Sequence, residues 1–357
     1  MQWGDTMGTE IVLGFLKQPD MYIGSRAGMG AITHVARAAM TRLSGDIFRL
    51  TDWRMRHVFA GAFGRNVEGS MLMTAHPRSL SQLEPMMANG PAKLGAYGGL
   101  APDEHPAVFI HSKSLVANRE LATVNTVAIM GASRDPIFDV TALFQGRGAR
   151  ALDDLITAAV DNDLPRMRKT AVAAAKLGIL ANDPLIDVAF LSQGMRQAID
   201  IENQSLLVIS KTLRDPDALA RILAARQRGA HVSVRTWSLP PDVEQQLRDA
   251  GVELLTTDRW IHGNLIVARG ARQAVWGSAH LTPRAYGAGV ADGLNGNGEA
   301  LEGAELLQRS RELGAITRDR QALRQIRDGV RNIPWRERTA ADAKRFTSGR
   351  PEAAAAA

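Results

Sequence analysis

An α/β protein made of two pseudo-symmetric halves packed face to face is what this sequence predicts, and two observations carry the prediction. Apolar runs of strand length alternate with stretches of helical spacing, the pattern of sheets covered by helices. The same order of elements also occurs twice, with unequal insertions, as a duplicated unit would give. At 357 residues the chain exceeds one ordinary domain, which suits a bilobed unit with ample core.

The first half reads as the helix ITHVARAAMTRL, the strand IFRLTDW, a helix around Val58 to Gly64, and the strands SMLMTAH and KLGAY. Two strands follow within AVFIHSKSLVANRELATVNTVAIMGAS, and FDVTALFQG leads into the helix ARALDDLITAA. In the second half the run from Ser205 to Ser210 is a strand by length and branching. The next helix starts near Asp215-Pro216-Asp217, where Asp can cap and Pro fits the first turn, and stops at Gly229. Then come the strand HVSVRTW, a short helix after Pro240-Pro241, the strand VELLTT, two strands within IHGNLIVARGARQAVWGSAHLT, the strand ELGAIT and a polar helix. These elements give a first half at 1–160, a helical connector at 161–203, a second half at 204–336 and a peripheral or disordered tail at 337–357. The Gly-rich stretch 287–303 reads as a loop able to cover a site.

Composition narrows the function classes. With 45% hydrophobic residues and no run near the ~18 apolar residues of a membrane span, an integral membrane protein is excluded. The start has no basic segment ahead of an apolar core, so the expectation is a cytoplasmic protein or one exported without a classical signal peptide. There is no cysteine, which removes disulfide partners, thiol nucleophiles, zinc–cysteine sites and iron–sulfur clusters. Forty-three basic against 37 acidic side chains give +6, a mild excess suited to phosphates, lipid headgroups or nucleic acid. The chain shows no Gly-rich phosphate loop ahead of a helix, no HExxH and no Ser-centred nucleophile elbow. Its oligomeric state is left open.

Two histidines occupy corresponding places, His111 in IHSKSLVAN and His262 in IHGNLIVAR, each opening an apolar strand. Alternation along a strand puts His111 and Lys113 on one face. Downstream, each half keeps a small-residue turn, Gly131-Ala132-Ser133 in the first and Gly277-Ser278-Ala279-His280 in the second. A strand carrying an acid follows in each, Asp139 and Glu312.

This layout resembles the phospholipase D superfamily, whose halves each carry His-x-Lys, four residues, Asp, then Gly-Ser-x-Asn. The resemblance covers roughly 32–335. It implies His111 as nucleophile and His262 as acid/base, with Lys113 and the hydroxyls of Ser133 and Ser278 stabilising phosphoryl oxygens. Asp139 and Glu312 stand where the family places the carboxylate that orients its histidine. No metal or other cofactor is implied. A neutral imidazole can attack phosphorus when a carboxylate holds its other N–H, and a second imidazole can protonate the leaving alkoxide.

The pattern is departed from in four places. Asn118 replaces the Asp of the first motif, as in some nuclease-like and DNA-repair branches. In the second half Asn264 replaces Lys, Arg269 replaces Asp and His280 replaces the final Asn. Lys211, at the end of the strand SLLVIS, is the expected substitute for the missing lysine. The function expected is a phosphodiesterase or phosphatidyltransferase working through a phosphohistidine, with phospholipid substrate favoured and peripheral membrane contact possible. A nuclease, suggested by a pI near 9.9 and Asn118, and a non-catalytic phosphate- or partner-binding member are the alternatives.

Overall fold

A computed structural model describes residues 11–339, without 49, 51, 75–76, 89, 98–107, 130–136, 284 and 286–308, together with 341–342. The Gly-rich stretch and the end of the tail lie outside the described residues. In the first half the elements are β1 (Asp20–Ile23), α1 (Ser25–Ala38), β2 (Leu43–Ile47), α2 (Trp53–Phe63), β3 (Gly69–Thr74), α3 (Pro77–Met87), β4 (Ala92–Tyr97), β5 (Val108–Ile110), β6 (Ser114–Ala117), β7 (Leu121–Asn125), β8 (Val140–Gln145) and α4 (Arg147–Val160). There follow α5 (Leu164–Ala175), β9 (Ile179–Asp183), β10 (Val188–Ala189), α6 (Phe190–Asp200), β11 (Ser205–Thr212), α7 (Pro216–Gln227), β12 (His231–Ser238), α8 (Pro241–Asp249), β13 (Glu253–Thr256), β14 (Asn264–Ala268), β15 (Gln273–Gly277), β16 (Arg309–Thr317), α9 (Arg320–Arg331) and β17 (Arg336–Glu337).

Local chemistry sets several boundaries. The α7 cap is the expected one, with the Asp215 carboxylate accepting from Ala218 N and Pro216 in the first turn. The strand read at 47–53 lies earlier, at β2, because Asp52 accepts from Met55 N and starts α2 at Trp53.

The two sheets repeat one another strand for strand. One runs β1-β8-β7-β6-β2-β3-β4, and the other contains β9-β16-β15-β14-β11-β12-β13, flanked by β10 and β17. In both, the last three strands are parallel and the rest antiparallel. The stretch 161–203 is therefore not a purely helical connector. It contains β9, which pairs with β16 as β1 pairs with β8, and α6, the counterpart of α1. A fully buried five-residue strand of that kind carries no alternation to separate it from helix. The tail is also less peripheral at its start than expected. Arg338 is buried and donates to Glu244 Oε2 at 2.8 Å and to Trp237 O at 3.0 Å.

The halves meet through two equivalent crossings. His111 N and Ser112 N both donate to Arg311 O, each at 3.0 Å, where β5 pairs parallel with β16. His262 N and Gly263 N donate to Phe138 O at 3.0 and 2.8 Å, where Phe138 bridges to Ile261. Gly263 is required there, since a Cβ would stand 2.8 Å from Thr126 Oγ1 and 3.0 Å from Asp139 Cα. Beneath the first crossing the buried Arg311 guanidinium is paired with Asp183 of β9 and lies 3.5 Å from Asp46 of β2. Ser112 Oγ donates to that same Asp46 at 2.8 Å. One apolar core, which includes Val116, Val140 and Leu152 as well as Val208, Ile266 and Ile316, extends through both halves.

Candidate active site

Each crossing delivers a histidine to the seam, and the acid that holds it comes from the other half. His111, just ahead of β6, has Nδ1 2.9 Å from Glu312 Oε2 on β16. His262, just ahead of β14, has Nδ1 3.0 Å from Asp139 Oδ1, next to β8. Residues far apart in sequence thus meet because backbone pairing sets Arg311 and Phe138 against the two histidine segments. The ring centroids of His111 and His262 are 6.4 Å apart.

A carboxylate accepting from Nδ1 keeps the proton there and leaves the Nε2 lone pair for chemistry. Burial lowers the His111 pKa to about 4, outweighing the upward pull of Glu312, with Lys113 and His262 lowering it further. The ring is neutral at pH 7, the form a nucleophile needs. Burial works to raise the Glu312 pKa, but His111, its hydrogen bond, Lys113 and the Ser278 hydroxyl outweigh it and hold the carboxyl below its usual range.

A third imidazole completes the cluster. His280 has its ring centroid 5.3 Å from that of His111 and 6.0 Å from that of His262. Its Nδ1 lies 3.1 Å from Asn264 Oδ1. Burial pushes its pKa well below the usual value, and His111, Lys211, His262 and Lys113 add to the effect. One ring nitrogen from each of the three histidines lies within 4.8 Å of the others.

Strand register shows which residues are equivalent. Asp46 pairs with Ser114, and Ile209 with Leu265, so Phe48 and Lys211 hold matching places at the ends of β2 and β11. Lys113 matches Asn264, and both are buried. Lys113 Nζ lies 5.0 Å from the Phe48 ring centre, while Lys211 Nζ lies 5.5 Å from that of Trp260, itself packed against His262. Phe48 packs edge-on against His111 at 5.1 Å. Two buried cations therefore lie near the histidine cluster, Lys113 just ahead of β6 and Lys211 near the end of β11, so the two arrive on different strands.

The same register changes one expectation. Ser133 lies outside the described residues, and the partner of Ser278 by strand pairing is Thr126. Thr126 Oγ1 donates to Asp139 Oδ1 at 2.7 Å and accepts from Val140 N at 2.9 Å. Ser278 Oγ stands alike beside Glu312 and accepts from Leu313 N at 3.0 Å. Thr126 was missed because Asn125-Thr126-Val127-Ala128 has no motif-like letters, and only pairing with β8 identifies it. His280 corresponds to Ala128, so the third histidine has no counterpart in the first half.

Asn118 is not brought to the site. It sits in the β6–β7 turn at φ 53°, at the end of β6 away from His111. Its Oδ1 accepts from Met40 N and Thr41 N, each at 3.0 Å, and its Nδ2 donates to Ala38 O at 2.7 Å. It pins the segment after α1, which an Asn tolerating left-handed backbone does well. Arg269 likewise follows the far end of β14, with its backbone N donating to Ser205 O at 3.0 Å.

No protein-family profile and no curated protein matches this chain. Solved structures do resemble it. The phosphatidylserine synthase of Haemophilus influenzae Rd KW20 superposes with a TM-score of 0.62 at 13% identity, over 95% of this chain and 91% of that one. The polyphosphate kinase of Porphyromonas gingivalis gives 0.60 at 12% identity over 94% of this chain, which spans about half, 53%, of that protein. Nuc from Salmonella typhimurium, a phospholipase D family member, gives 0.32 at 10% identity over 42% of this chain and 96% of its own. The chain shares its fold with the phosphatidylserine synthase and with the part of the polyphosphate kinase that it spans, a mixed α/β fold of two similar halves, the architecture expected from the sequence.

Proposed function

We propose that the chain is a phospholipase D-like phosphodiesterase or phosphatidyltransferase acting through a phosphohistidine, with phospholipid as the favoured substrate. The observation that carries this reading is the pair of facing imidazoles, each held at Nδ1 by a carboxylate of the opposite half. His111 Nε2 attacks phosphorus, and the bond from phosphorus to the leaving oxygen breaks as protonated His262 gives that oxygen its proton. Neutral His262 then takes a proton from water or an alcohol, whose oxygen displaces His111. Lys113 and Lys211 balance charge on the phosphoryl oxygens. The near full-length likeness to a phosphatidylserine synthase supports the lipid preference. The buried Lys211 speaks against a purely non-catalytic role, since it supplies a cation where the second motif has none. Bis-p-nitrophenyl phosphate tests the reading: hydrolysis by the native chain and none by His111→Ala supports it, and equal hydrolysis by both rejects it.

A nucleic-acid substrate is the second reading, favoured by one feature. Between α1 and α2 runs an open groove of ≈ 570 Å³, lined by Arg37, Arg54, Arg65, His57 and the exposed Trp53. The Arg54 guanidinium lies 5.2 Å from the Trp53 ring centre, and neither Arg37 nor Arg54 has a carboxylate partner among the described residues. At the equivalent helices α6 and α7, Arg196 and Arg221 are both paired with Asp217. Single-stranded DNA binding that falls steeply with salt and weakens in Trp53→Ala would favour this substrate. Turnover of phospholipid vesicles without such binding would favour the lipid.

A further inference from the structure

We propose that His111, His262 and His280 together form a binding site for a divalent transition metal of the zinc class, and that the ion competes with a phosphoryl group for their Nε2 atoms. The first part stands on geometry alone; the competition rests on the function proposed above.

Three ring nitrogens within 4.8 Å of one another surround a point that is at most about 2.8 Å from each, so an inward shift of about 0.7 Å per ring reaches a zinc–imidazole bond of ~2.0–2.1 Å. Each ring is already oriented from behind. Nδ1 of His111 faces Glu312, that of His262 faces Asp139 and that of His280 faces Asn264 Oδ1, at 2.9, 3.0 and 3.1 Å. Carboxylate or amide oxygens behind metal-binding imidazoles fix the tautomer and aim the other nitrogen at the ion. The Asn264 amide is itself fixed, since Oδ1 accepts from Ser210 Oγ at 2.7 Å and Nδ2 donates to Gly277 O at 3.2 Å.

The donor set also selects the ion. Three neutral nitrogens suit zinc, cobalt, nickel or copper and not magnesium or calcium, which require oxygen. Lys113 and Lys211 oppose the ion, and Glu312 and Asp139 offset them. The open fourth position would take water or a phosphate oxygen. With the Nε2 lone pairs engaged, His111 cannot attack phosphorus, so metal silences the site. His280 is what makes this possible, because the equivalent Ala128 offers no ligand.

Cobalt(II) is the probe, added to the full chain after chelator treatment and dialysis. The expected result is the visible absorption of four- or five-coordinate cobalt, saturating at a single equivalent. It should be retained in His231→Gln, whose ring is exposed, and lost in both His280→Asn and His111→Asn, each confirmed folded by circular dichroism. Glu312→Gln should bind about 10- to 100-fold more weakly. No absorption, or absorption unchanged in both histidine variants, overturns the site. Inorganic phosphate should weaken cobalt binding to the native chain, and zinc should inhibit bis-p-nitrophenyl phosphate hydrolysis. Cobalt binding indifferent to phosphate overturns the competition. Because the spectrum is read without substrate, a protein that binds cobalt but hydrolyses nothing refutes the phosphodiesterase reading and leaves the metal site standing.

Discussion

In the first half the cation stands two residues after its histidine, Lys113 after His111, and the aromatic Phe48 ends the neighbouring strand. In the second half the cation takes the other place: Asn264 stands two residues after His262, and Lys211 lies near the end of the neighbouring strand. Asn264 then becomes a scaffold residue that holds His280, a ring for which the first half has only Ala128. Two scaffolds of matching strand order can therefore present the same charge near the same histidine cluster from different strands. Whether a motif is intact along one strand and whether a site is intact in space are separate questions.

The largest expected effect probes the asymmetry of roles between the histidines. His111→Ala should lower turnover of bis-p-nitrophenyl phosphate by on the order of 10⁴- to 10⁶-fold, the loss of a nucleophile. His262→Ala should cost ~10²- to 10⁴-fold, the loss of a proton donor, and less with a leaving group as acidic as p-nitrophenol. If the larger loss fell on His262, the roles would be reversed.

The two cations come next. Lys113→Ala and Lys211→Ala should each lower kcat by ~10²- to 10³-fold with little effect on the circular dichroism spectrum. A full loss in Lys113→Ala beside an unchanged Lys211→Ala would break the comparison and leave the second half without a charge of its own.

The pH profile sharpens it further. Burial lowers the His111 pKa to about 4, so its nucleophilic form persists far below an ordinary imidazole's range. The acid limb of kcat/KM should fall as pH drops through about 4, not near 6.5. Smallest are the hydroxyls behind the acids. Thr126→Val and Ser278→Ala should each cost about tenfold or less by loosening the carboxylate that orients an imidazole. Unequal losses would show that the two carboxylates are not supported alike.

Much of this was legible in the sequence. Period and length gave the repeated α/β order, and the repeat singled out His111 and His262 from eight histidines. Lys211 could be guessed from its strand end. What stayed hidden depends on pairing across strands. Which acid serves which histidine is decided by His111 N and His262 N donating to Arg311 O and Phe138 O in the other half, and no local pattern encodes that. Thr126 has no motif around it, and Asn118 sits in the right motif position at the wrong end of its strand. β9, buried on both faces, was hidden inside an apparently helical connector for the same reason.

The most direct test is to trap the phosphoryl group. In His262→Ala, which lacks the group that should discharge the intermediate, intact-mass analysis after substrate addition should find an acid-labile phosphoryl adduct that peptide mapping places on His111. Continued turnover with no adduct, or an adduct on another residue, would contradict the central claim that two imidazoles from opposite halves act on one phosphorus atom.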